Sequence, residues 1–200
     1  MTGKMQTYEN AARTYGNQAV RLLRPLLMFV VVVWLIEVVD WVIFNNSLDH
    51  LGILPRQING LRGMLFAPFL HGGFSHLMAN TIPFVILGFL VMLRHRSRIL
   101  IVSALILLIS GFGTWLIAPA NTVHIGASGL IFGYFAFLIV NAWYERSVGA
   151  IVLALLVIIA YGGLLAGVLP AGNGISWQGH IFGLIGGGLA AFYFSPRRAA

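Results

Sequence analysis

Three short strings hold the side chains that could do chemistry: His71-Gly-Gly-Phe-Ser-His76-Leu-Met-Ala-Asn80, Gly126-Ala-Ser128-Gly129, and Gly179-His180-Ile-Phe-Gly183-Leu-Ile-Gly-Gly187. A serine hydroxyl is a poor nucleophile until a base takes its proton, and a neutral imidazole with an unperturbed pKa of ~6.5 suits that task. Ser128 and His180 can form such a pair. Attack on a carbonyl creates an oxyanion, which needs donors fixed where the charge develops. Asn80, His76 and the backbone N–H of Ser128, near a helix N-terminus, can supply them, and the i,i+4 spacing puts His76 and Asn80 on one helix face. The chain has no cysteine, which removes thiolate nucleophiles, thiolate metal sites and disulfides. It also lacks grouped carboxylate ligands, so the expected chemistry uses no metal and no cofactor.

These residues must be positioned by membrane helices. Of 200 residues, 59% are hydrophobic and 8% charged, and the mean hydropathy is +0.91, which excludes a water-soluble fold. A span needs ~20 mostly apolar residues. Six stretches qualify, at 26–44, 74–93, 99–118, 125–143, 149–169 and 177–194. The expected fold is therefore an all-α polytopic membrane protein, a six-transmembrane-helix bundle. Its expected parts are a short polar cytoplasmic tail over 1–21, a membrane domain over 22–196 and a cytoplasmic tail over 197–200. Residues 1–20 are polar, so the first apolar run reads as a true span and not as a cleavable signal peptide.

Charge sets the orientation. Lys4, Arg13, Arg21, Arg24, Arg94, Arg96, Arg98, Arg146, Arg197 and Arg198 fall on one side of the predicted spans, and only Arg56 and Arg62 on the other. Both termini are thus expected in the cytoplasm of a multi-pass cell-membrane protein. Basic residues in small groups between apolar runs are topology signals and exclude a nucleic-acid partner. Spans two, four and six then enter from outside, so all three strings lie within about two turns of the outer face. Gly126 and the rows 129/133 and 179/183/187 let helix backbones approach, as a short serine side chain requires. A small transporter would also place polar groups on several helices, but here the cytoplasmic halves are almost wholly apolar and no inverted repeat is visible. The long outer loop over 45–73 is expected to dip into the outer leaflet or to fold as a cap over the bundle.

In composition, order and helix placement the three strings resemble the rhomboid intramembrane serine proteases, over nearly the whole apolar portion of the chain and in that family's six-helix form. The resemblance implies Ser128 as nucleophile and His180 as general base. It implies an oxyanion hole lined by His76, Asn80 and the Ser128 amide, with His71 structural or water-organising and Gly126, Gly129, Phe132 and Gly183 supporting the site. The implied partners are transmembrane protein substrates and membrane lipids. Two departures stand out. Leu61-Arg62-Gly63 lies where many members carry a Trp-Arg pair, and Phe132 stands where some place a tyrosine that packs on the catalytic histidine. Stacking can survive loss of that hydroxyl. A catalytically inactive relative that binds transmembrane segments is the alternative reading.

A Ser-His dyad is preferred to a triad through Asp40, with Glu37 and Asp40 expected to hold the first loop or to snorkel. His50, His95 and His124 are read as structural or interfacial. Trp34, Trp41, Trp115, Trp143 and Trp177 are read mostly as interface anchors. Span five carries none of the proposed catalytic groups but contains Gly162, Gly163 and Gly167, so it is expected, with the long loop, to govern access.

Overall fold

The computed structural model describes residues 2–170 and 174–194, with the side chains of residues 2–5 and 7–15 outside the description. Arg197, Arg198, the tail over 197–200 and part of the turn after span five lie outside the described residues, as do the side chains of Lys4 and Arg13.

Helix α1 (Thr2–Val39) passes through Pro25 and the expected tail boundary without a break, then widens into a π-turn at Asp40–Phe44. The outer loop follows as 3-10 turns and the short α2 (Gly63–Phe66). The long helices α3 (Phe74–His95), α4 (Ile99–Ile117), α5 (Ser128–Glu145), α6 (Val148–Tyr161) and α7 (Trp177–Phe194) complete the chain. The six long helices fall on the six expected spans, but in span five the α-helix ends at Tyr161 and a 3-10 run over Gly162–Val168 continues it. By length and composition alone, among the described residues only Gly16–Phe44, Phe74–Ile117 (which holds both α3 and α4) and Val148–Val168 are long and apolar enough to cross a membrane. Helices α5 and α7 differ because they lie inside the bundle. A helix wrapped by protein need not be apolar all round, and α7 carries buried Gln178, His180 and three buried glycines besides Gly179 on that account.

The core forms where α3, α4, α5 and α7 meet. Leu87, Val102, Ile106, Ile131 and Phe137 are fully enclosed there. Glycines set the spacing of α5 and α7. A Cβ on Gly183 would strike the backbone carbonyl of Gly129, and one on Gly187 that of Gly133. Helix α4 closes the other side, with Ile106 against Gly133 and its own Cα 3.0 Å from a Cβ on Gly186. The Ser110 hydroxyl on α4 donates to the Gly179 carbonyl at 2.8 Å, and the Ser103 and Tyr134 hydroxyls pair at 2.6 Å.

Both ends of the bundle are tied. At the end expected to be cytoplasmic, Arg94 pairs with Glu145, which also accepts from Ser147 at 2.7 Å and Asn141 at 3.2 Å. Arg98 donates to the Phe194 carbonyl at 2.6 Å and lies over the Phe194 ring. Two of these topology signals therefore also join helix ends. At the other end Asp40 accepts from the Leu48 N–H at 3.0 Å, so its carboxylate holds the loop, as one of the two expected roles had it. Ile53 and His124 exchange backbone hydrogen bonds at 2.9 and 3.0 Å. The Arg56 guanidinium caps the last carbonyls of α4, reaching Ala118 at 2.6 Å and Leu116 at 3.1 Å, a favourable place for a cation. With its backbone pinned in this way, the loop still turns Ile58 (84% exposed) and Leu65 (73%) outward, which suits a segment lying in the membrane interface.

Adjacent glycines on α7 separate packing from propensity. Gly187→Ala drives a Cβ into backbone that cannot yield and should destabilise by about 1–3 kcal/mol. Gly188→Ala meets only Val140 at 3.9 Å and should be neutral or stabilising by up to about 1 kcal/mol through helix propensity. Thermal melts of both variants in one detergent check the contrast. Equal melting temperatures would show that the backbone contact does not limit the packing.

Candidate active site

Ser128 is the first residue of α5, and the turn before it is shaped by Gly126. Gly126 has φ +110°, where L side chains are rarely found, and its N–H is held by the Ala67 carbonyl at 2.8 Å. A Cβ here would also come within 2.9 Å of His76 Cε1 and 3.0 Å of His76 Nε2. Glycine is required twice over, once for the backbone and once for the empty space it leaves. The next N–H, of Ala127, points at His71 Nε2 at 3.5 Å. His71 thus supports the turn from below, edge-on to the His76 ring.

His180 lies in the first turn of α7, its N–H on the Ser176 carbonyl at 3.2 Å. Its Nε2 is 2.9 Å from Ser128 Oγ, and its Nδ1 is 2.8 Å from the Gly167 carbonyl oxygen. A carbonyl only accepts, so the proton of the neutral ring sits on Nδ1. Nε2 then carries the lone pair and accepts from the serine hydroxyl. No carboxylate among the described residues enters this arrangement; Asp40 is occupied in the loop. Phe132, one turn beyond Ser128, stacks on the imidazole at 4.0 Å between centroids and 9° between planes. The expected stacking therefore forms without the tyrosine hydroxyl.

Opposite this pair, two donors face the space above Gly126. His76 Nδ1 accepts from the Gly72 N–H at 3.4 Å, which leaves the proton on Nε2, 3.0 Å from where a Gly126 Cβ would stand. Asn80 is 8% exposed, and its Nδ2 has no hydrogen-bond partner among the described residues. It lies 3.4 Å from where a Gly126 Cβ would stand. Ser128, His180, Phe132, His76 and Asn80 border one cavity of about 730 Å³, bounded on the α6 side by Gly163, Leu164 and Gly167. A pocket of about 40 Å³ behind Ser128, bordered by Ser110, Thr114, His124 and Ser176, is large enough for water.

The remaining candidates fall into place beside these. Gly129 and Gly183 make the α5–α7 contact described above. His124, read from sequence as structural, bridges Thr122 Oγ1 and Ser176 Oγ at 2.7 Å each, which joins the loop before α5 to the loop before α7. Burial pushes its pKa down, and its ring borders both cavities. Sequence reasoning missed Ser110, Ser176 and the Gly167 carbonyl. Ser176 carried a signal, as a serine directly before a helix start. The carbonyl carried none.

His71 precedes the apolar span that begins at Phe74. Burial, and then the neighbouring His76, push its pKa from 6.5 down to about 3. A histidine whose pKa is depressed by folding is stabilising while neutral. That contribution is complete above ~6.5 and is lost progressively as pH falls from there toward about 3. Melting temperature in detergent should therefore fall on acidification below ~6.5, and less steeply in His71→Gln, which keeps an acceptor for the Ala127 N–H. Identical pH slopes for the two proteins would count against the assignment.

A Rhomboid domain family model matches residues 59–197, which include all three strings and every long helix except α1. An uncharacterized protein of Mycobacterium tuberculosis is 45% identical over 184 residues, covering 88% of this chain and 76% of its own. An uncharacterized protein of Mycobacterium leprae is 42% identical over 182 residues, covering 86% and 72%. The Bacillus subtilis protein named "Putative rhomboid protease YdcA" is 29% identical over 193 residues, covering 90% and 94%. Rhomboid proteins are generally intramembrane serine proteases, with inactive members among them. With the family model spanning more than half of its length, this helical membrane protein belongs to the rhomboid family.

Proposed function

We propose that this chain is an intramembrane serine endopeptidase that cleaves transmembrane segments of other proteins near the outer membrane face, using Ser128 and His180 as a dyad. The observation that carries this reading is the 2.9 Å contact of Ser128 Oγ with His180 Nε2, on a ring whose other nitrogen is already committed to a carbonyl. The accompanying placement is a multi-pass protein of the cell membrane with both termini cytoplasmic. It comprises a tail over 1–21, a membrane domain over 22–196 and a tail over 197–200.

On this reading the reaction runs in two stages. Ser128 Oγ attacks the scissile carbonyl carbon while its proton passes to His180 Nε2. The carbonyl oxygen becomes an anion in the space that Gly126 leaves open, where His76 Nε2–H, Asn80 Nδ2–H and the Ser128 N–H converge on it. Collapse breaks the C–N bond as His180 returns the proton to the leaving amine. Water then attacks the acyl-serine, giving one proton to His180, and the second collapse returns that proton to Ser128 Oγ. The stacked Phe132 ring and the Gly167 carbonyl hold the imidazole plane while it is charged.

Hydrolysis needs water, whereas a substrate helix in lipid has its backbone groups satisfied internally. A cavity bordered by Ser176, His124 and the outer loops eases this conflict. A substrate can unwind there at residues that form helix poorly, such as glycine, serine or β-branched types.

Ser128→Ala and His180→Ala should each abolish cleavage of a generic transmembrane substrate in proteoliposomes while the protein still inserts and folds. The double variant should be no worse than either, because the two act as one unit. Asn80→Ala and His76→Ala should lower kcat by ~10-fold to 10³-fold with a smaller effect on KM. Substantial turnover by purified Ser128→Ala would refute the dyad. Capture of transmembrane segments without cleavage by the wild type would favour an inactive, binding member of the family.

A further inference from the structure

The cavity wall nearest His180 is not α6 itself but its continuation, a 3-10 run over Gly162–Val168. Such runs seldom exceed about three or four residues; this one has seven and none of them is buried. A Cβ on Gly162 would meet only Ile158, at 3.9 Å. Helix α6 is also lightly held, burying only Ala150, Ala154 and Val157. The segment packs Leu164 against the core and makes a polar contact with the candidate base, from the Gly167 carbonyl to His180 Nδ1 at 2.8 Å. Gly167 sits so close that a Cβ there would be 3.1 Å from both His180 Nδ1 and Phe132 Cζ.

Two constraints orient the imidazole, and they differ in kind. Stacking on Phe132 sets the tilt of the ring but leaves it free to turn within its own plane. The hydrogen bond to Gly167 fixes that turn, and with it the direction in which Nε2 points. It also puts the proton on Nδ1 and gives the imidazolium an acceptor once charged. In a triad a carboxylate does all three.

Building on the protease reading, we propose that Gly167 is a positioning residue whose backbone carbonyl takes the place of a triad carboxylate, and that the 3-10 segment carrying it couples substrate entry to the readiness of the base. Gly163, Leu164 and Gly167 border the cavity, so a transmembrane segment entering beside α6 displaces the same backbone that holds His180. With the segment displaced, the dyad is loosened. Reseating it around the bound substrate restores the dyad. On this proposal span five acts on the chemistry, which goes beyond the access role expected for it from sequence.

The test compares labelling of Ser128 by a small fluorophosphonate with kcat and KM for a transmembrane substrate. Gly167→Ala moves the ring or the segment by a few tenths of an ångström. A backbone ester at the Gly167–Val168 bond, introduced as an α-hydroxy acid at position 168, weakens the carbonyl as an acceptor without adding an atom. Gly167→Ala should lower the labelling rate and kcat together by ~10-fold to 10²-fold at near-constant KM, and the ester should lower both by ~3-fold to 10-fold. Gly162→Ala should leave all three unchanged. If Gly167→Ala fails to fold, the ester decides. Unchanged labelling and kcat in the ester, or an effect on KM alone, would overturn the positioning role. A wild-type protein that neither labels at Ser128 nor cleaves would instead overturn the protease reading.

Discussion

The candidate site depends on the closeness of two backbones. Helices α5 and α7 meet through Gly129 and Gly183, then one turn on through Gly133 and Gly187, with no side chain between them. Ser128 has one of the shortest polar side chains available, and it reaches His180 only because the helices carrying them nearly touch. Helix α4 wedges against the same pair through Ile106 and Ser110, so neither helix can retreat. Without an aqueous phase to drive helices together, such contact rests on close packing and interhelical hydrogen bonds. The glycines are thus a condition for the chemistry as much as for the fold.

Polar groups held inside a helical bundle must be satisfied by it, and nearly every one here has a fixed partner. His180 has Ser128 and Gly167, His71 has the Ala127 N–H, and His124 has Thr122 and Ser176. Among the described residues a few buried atoms lack a partner, His71 Nδ1 and Asn80 Nδ2 at the site among them, and of these Asn80 Nδ2 is the one facing the space beside Gly126. Leaving a buried donor unsatisfied costs about 1–3 kcal/mol. The cost is consistent with a group that meets its acceptor only when a carbonyl oxygen takes on charge beside Gly126. The empty space beside that glycine and the idle donor facing it describe one feature from two sides.

The sequence made much of this legible because polar residues in apolar helices are conspicuous. Ser128, His180, His76 and Asn80 stood out by type and by a shared depth, and the glycine rows marked where helices approach. The acidic residues were legible only in part, since two roles stayed open for Glu37 and Asp40, and the structure shows the Asp40 carboxylate holding the loop. Two things stayed hidden for physical reasons. The spans of α5 and α7 are expected from sequence, but not that protein rather than lipid surrounds them, which is why they are the less apolar. The supporting hydrogen bonds run to main-chain carbonyls, at Gly167, Gly179 and Ala118. A carbonyl is present at every residue and leaves no mark in a sequence. In the sequence Arg56 is only one of two cations on the minority side, whereas in the structure its guanidinium closes the end of α4.

The most direct test of the central claim is a structure of the wild-type protein after reaction with a phosphonate electrophile, whose phosphoryl oxygen mimics the tetrahedral oxyanion. The account places the adduct on Ser128 Oγ. It places that oxygen beside Gly126, within about 2.7–3.1 Å of His76 Nε2, Asn80 Nδ2 and the Ser128 amide nitrogen, with His180 Nδ1 still on the Gly167 carbonyl. An adduct on another residue, or a phosphoryl oxygen turned away from all three donors, would contradict it.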